Sequence, residues 1–165
     1  MNNTQNTPTS HTLDFEPAFH CVPQTNRWNS VAACIASLVN EPIEEVLDVA
    51  AQHFKLPANG RWSSVSKRIP DLLAHYEWWV ASRYTVAIAV SDLPDLALVL
   101  LSNRPDQFAL FHRQKFEGGK LPVPYLINPA QGQPNGQKCR LDVEAILPCK
   151  FLNICSMAKY MKDFW

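Results

Sequence analysis

The sequence predicts an α+β domain with helices packed on an antiparallel sheet. Two features of its pattern carry that expectation. Up to about His75 the apolar residues recur at helical spacing. From Tyr84 onward they fall into short blocks separated by turn residues. Size agrees: 165 residues at 47% apolar composition suit one compact domain with a real core.

The elements follow in order. Residues 1–14 open with a polar tract of Asn, Thr, Gln and Ser that lacks a basic start and an apolar stretch. This reads as a flexible tail rather than a secretory signal, with a single domain over 15–165. Val31 to Val39, VAACIASLV, is apolar on almost every side and rich in small residues. It predicts a buried central helix that its neighbours approach closely. Asn40 to Pro42 breaks it. Pro42 suits the first turn of a second helix, with Glu44 and Glu45 at its positive end and a stripe of Ile43, Val46, Leu47, Ala50 and Phe54. A third helical region is expected between Ser63 and His75, started or kinked at Pro70. Trp78 and Trp79 read as core or rim. Strands are expected at Tyr84–Val90, Leu96–Leu101, Gln107–His112, Pro124–Asn128 and Lys150–Ile154. By periodicity alone Leu96–Leu101 fits a short helix equally well. The chain closes on a Met- and aromatic-rich stretch, Met157 to Trp165.

Composition excludes several functions. Fifteen basic residues balance fifteen acidic ones, so no electrostatic argument favours nucleic acid or a membrane surface. The longest apolar run, Leu96 to Leu101, is too short to span a bilayer. Five cysteines, Cys21, Cys34, Cys139, Cys149 and Cys155, include no CxxC pair. Zinc spacing is absent, and free thiols in a reducing compartment are expected. Cys149 and Cys155 pair only if the fold brings them together. No cofactor or metal is implied. The expected location is the cytoplasm, or export without a cleavable signal peptide.

The informative stretch is Val22-Pro23-Gln24-Thr25-Asn26-Arg27-Trp28-Asn29-Ser30-Val31-Ala32-Ala33-Cys34. It resembles the start of papain-like cysteine peptidases, nearest to bacterial effector peptidases and those that cleave bacteriocin leader peptides. In such families Val-Pro-Gln precedes a catalytic cysteine at the start of a buried helix, which places Ser30 at the nucleophile position. The resemblance implies an oxyanion-binding role for the Gln24 position, since a side-chain amide stabilises developing negative charge. A second pair of segments, Gln107 to Phe111 and Leu126 to Pro129, matches the strands that carry the family's histidine and its orienting Asp or Asn. Gln107 then stands at the histidine position and Asn128 at the orienting one. The two matches together reach from Val22 to Pro129.

The departures decide the expected function. Ser30 replaces Cys, and Gln107, which cannot accept a proton at neutral pH, replaces His. No intact catalytic set remains at Gln24, Ser30, Gln107 and Asn128. His112 is the first candidate for a substitute base, but an odd offset of five from Gln107 turns it to the opposite sheet face. His20, near Gln24 in sequence, is the second; His11, His53 and His75 stand in no motif, and Cys34 should point into the core. Scaffold roles also fit: Ser30 as cap of a helix starting at Val31, Gln24 as a loop tie, Asn128-Pro129 as a strand end entering the loop Gln131–Gly136. The expectation is a catalytically inactive pseudo-peptidase that binds a peptide or protein partner. The alternative is an active cysteine peptidase, with Ser substituted for the nucleophile at position 30 or with an unrecognised base. A structural subunit whose partner binds elsewhere ranks third.

Overall fold

A computed structural model describes residues 15–62, 68–101, 107–131 and 141–164. The expected tail over 1–14, His11, Cys139 and nearly all of the Gln131–Gly136 loop lie outside them. Four helices, α1 (Ser30–Val39), α2 (Ile43–Phe54), α3 (Arg68–His75) and α4 (Met157–Phe164), accompany six strands. These are β1 (Trp78–Val80), β2 (Thr85–Ala87), β3 (Leu96–Leu100), β4 (Phe108–Gln114), β5 (Val123–Ile127) and β6 (Cys149–Ser156). The strands form one antiparallel sheet in the order β1-β6-β3-β4-β5, with β2 also pairing β6. The α+β class expected from the change of period is observed.

Local chemistry explains the boundaries. Asn40 takes a left-handed conformation at φ 56° and ends α1, returning its N–H to the Ala36 carbonyl. Pro42 stands one residue before α2 rather than in its first turn. Its carbonyl accepts from the N–H groups of Glu45 and Val46. Pro70 sits within the first turn of α3, where its missing N–H costs nothing. The expected strand over Tyr84–Val90 shortens to Thr85–Ala87. The Asp92 carboxylate accepts the N–H groups of Ile88 and Ala89, both at 2.9 Å, and a 3-10 turn follows at Val90–Asp92. Leu96–Leu100 is a strand, which settles the helix alternative. The Met- and aromatic-rich end forms α4. The Ser156 hydroxyl accepts from the Lys159 N–H at its start, and Tyr160 stacks on Trp79 with ring centroids 4.8 Å apart.

Strict alternation divides the core between the two sheet faces. Leu96, Leu98, Phe108, Leu110, Tyr125, Ile127, Leu152 and Ile154 cluster with α1, α2 and α3. Ala97, Val99, Ala109, Phe111, Leu126 and Phe151 cluster with Leu93, Val143 and Ile146 on the other side. Every residue of α1 from Ser30 to Leu38 is buried, so this helix is enclosed between sheet, α2 and the preceding segment. Among the described residues no helix is long and apolar enough to cross a membrane.

Candidate functional site

The start of β4 and the end of β5 lie at the same end of one antiparallel pair, in which Leu110 opposes Ile127. Gln107 and Asn128 flank those strand ends and therefore meet. The segment ahead of α1 is laid against the same place by two tethers. Val22 N–H donates to the Ser37 hydroxyl at 2.9 Å, and Gln24 N–H donates to the Pro129 carbonyl at 3.2 Å. Ser37 in turn donates to the Ala33 carbonyl one helical turn earlier, so α1 itself holds the segment.

These constraints bring Gln24, Gln107 and Asn128 together and set Ser30 against the backbone beside Gln107. Gln107 Nε2 donates to Gln24 Oε1 at 2.9 Å and reaches Asn128 Oδ1 and its neighbour's Phe108 carbonyl at 3.3 Å each. Asn128 Oδ1 also accepts from Ala130 N–H at 3.1 Å. Ser30 Oγ accepts the Phe108 N–H at 3.1 Å, tying the first turn of α1 to the first residue of β4. Ser30 is the first helical residue instead of the cap, and Asn29 holds the cap position without a side-chain cap bond.

The amides bond to one another and to their own loops. Gln24 Nε2 donates to the Asn26 carbonyl at 3.0 Å, within its own loop. Ser30 is 0% exposed and Gln107 6%, while Gln24 and Asn128 remain half-buried. The Gln107 carboxamide cannot take a proton at neutral pH.

The described histidines are engaged elsewhere. His112 Nδ1 lies 2.9 Å from the Tyr125 hydroxyl, with the Phe19 ring edge-on at 4.9 Å. It shares the helix-side face with Phe108 and Leu110, and burial pushes its imidazole down to about 4. His20 pairs with Glu16 at 3.5 Å, and His53 and His75 stack on one another. Cys34 is fully buried, and burial pushes its thiol well up.

Sequence reasoning missed Cys21. Its thiol lies 3.9 Å from the Asn128 carbonyl, yet burial raises its pKa, the reverse of an activated nucleophile. Cys21, Cys34, Cys149 and Cys155 are free. Also unforeseen is Asn29, 0% exposed, which organises the loop before α1. Its Oδ1 accepts from Thr25 and Asn26 N–H at 3.1 and 3.3 Å, and its Nδ2 donates to Thr25 Oγ1 at 2.8 Å. Asn is common in turns for this reason, so the T-N-x-x-N spelling was the available signal.

Comparison of the chain with protein-family models, with curated proteins and with solved structures finds no match.

Proposed function

We propose that this chain is a catalytically inactive papain-like pseudo-peptidase that serves as a peptide- or protein-binding module. The observation that carries the reading is the Gln107 carboxamide, bonded to Gln24 on one side and Asn128 on the other. In a papain-like peptidase the corresponding position holds the proton-accepting histidine. Gln107 bonds to Gln24 and Asn128, and Ser30 is tied to the adjoining Phe108 backbone; these contacts support a fixed scaffold. A scaffold of this kind keeps a surface rigid without reacting with what lies on it.

The test is a titration of the isotopically labelled chain with a pool of short random peptides. Resonance shifts at the half-buried amides of Gln24 and Asn128, with the peptides left intact, are the expected result. Peptide cleavage that disappears in Ser30→Ala overturns the reading in favour of an active peptidase. A pool that moves neither amide overturns the binding role.

A further inference from the structure

Two loops beside the site are bound to each other through asparagine side chains. Asn26 Oδ1 accepts the Trp28 N–H at 2.8 Å, and its Nδ2 donates to the Asn59 carbonyl at 3.1 Å. Asn59 Oδ1 accepts the Arg61 N–H at 3.0 Å. The Trp62 indole closes the second loop on the Pro57 carbonyl at 2.9 Å. Gly60, at φ +76°, lies so near Asn29 that a Cβ there would fall 2.4 Å from the asparagine's own. The loops thus form one rigid unit, joined to the site through the Gln24–Asn26 bond.

What this unit presents outward is a charged stack. The Arg27 guanidinium carbon lies 4.1 Å from the Trp28 ring centroid and that of Arg61 lies 4.4 Å from the same ring. Both arginines are exposed. Among the described residues no ion pair joins either stacked guanidinium to a carboxylate. Two like charges held at one indole repel, and an anion placed between or beside them relieves that repulsion. A guanidinium stacked by its face keeps its N–H edge available for the two-point bonding that carboxylates accept.

We propose that Arg27, Trp28 and Arg61 form a docking surface for an acidic, Asp- or Glu-bearing segment of a protein partner. The inference rests on the binding-module reading and places recognition on the rim, since the floor at Ser30 is sealed. A protein partner suits the chain better than a nucleic acid, because its fifteen basic and fifteen acidic residues provide no extended positive field.

The experiment uses the full isotopically labelled chain, with the Trp28 indole N–H as reporter. The probes are an acetylated, amidated octapeptide of alternating Glu and Gly, its Gln counterpart, and an oligothymidylate of equal charge. The acidic peptide is expected to shift the Trp28 indole and the Gln peptide to leave it in place. Binding should weaken about tenfold in the Arg27→Gln, Arg61→Gln double variant, through loss of charge-assisted bonds. An unmoved indole, an equal response to the Gln peptide, or oligothymidylate binding as tightly as the acidic peptide overturns the proposal. If the indole stays still while random peptides still move Gln24 and Asn128, the rim falls and the module stands. If nothing moves anywhere, both fall.

Discussion

Gln107 Nε2 lies 2.9 Å from Gln24 Oε1, so two residues 83 apart in the chain close on each other through their carboxamides. The acceptor end of Gln24 is occupied by this bond and its amide donates to Asn26. The pair therefore locks the segment before α1 against the start of β4.

Restoring a thiol and an imidazole tests whether that proximity is productive. Ser30→Cys alone should give a buried thiol no more acidic than the ordinary value of about 8.5, because burial disfavours the thiolate. Ser30→Cys with Gln107→His should form a thiolate–imidazolium pair oriented by Asn128. Alkylation by iodoacetamide at mildly acidic pH is expected to rise about tenfold or more in the double variant and in neither single one. Equal rates in the double variant and Ser30→Cys show that positions 30 and 107 do not face each other.

Asn29→Ala removes a buried side chain with three hydrogen-bond contacts to Thr25 and Asn26. The orphaned N–H groups should cost about 1–3 kcal/mol, read as a lower urea midpoint at unchanged slope. A midpoint within error of the parent shows that the loop is held by other means.

Gly60→Ala and Gly118→Ala separate contact from backbone strain. Both glycines are left-handed, with φ of +76° and +80°, but a Cβ at Gly118 meets nothing within 4 Å. Gly118→Ala should cost only the left-handed penalty, about 1 kcal/mol. Gly60→Ala adds a collision with Asn29 and should cost more, with altered Trp28 resonances. Equal losses in the two variants contradict the close approach.

His112 should make stability depend on pH. Its imidazole sits near 4 in the folded chain against an ordinary 6.5, from desolvation first, opposed by the Asp95 charge. Between these values the unfolded state binds more protons, so stability is full above about 6.5 and falls as pH drops toward about 4. The loss is on the order of 1 kcal/mol once solvent screening of the half-exposed ring is allowed for. Urea midpoints across this window should change less in His112→Phe, which keeps the packing on Phe19. An unchanged slope in the variant assigns the pH dependence to other groups.

The sheet was legible because its strands are apolar blocks of strand length between turn residues. Leu96–Leu100 read ambiguously only because it is buried on both faces, which erases alternation. The overlong strand at Tyr84–Val90 failed because the Asp92 carboxylate captures two N–H groups that a ladder would have used. The approach of Gln107 to Gln24 and Asn128 came through the resemblance of two distant segments. That Ser30 would be sealed did not, since burial depends on packing across the whole fold. Nor did the stack on Trp28, whose second arginine comes from a loop more than thirty residues later.

Strand order also dictates when the protein can become itself during synthesis. β1 and β2 enter the sheet only by pairing β6, and β6 also completes β3. A nascent chain that has passed Gln131 can assemble β3, β4 and β5 as neighbours, yet its two earliest strands have nothing to join. Until the ribosome has delivered Cys149 to Ser156, the β3 edge stands open along Leu96–Leu100, apolar on both faces. That interval is when the chain most needs a chaperone, and when a second unfinished copy is its most dangerous neighbour.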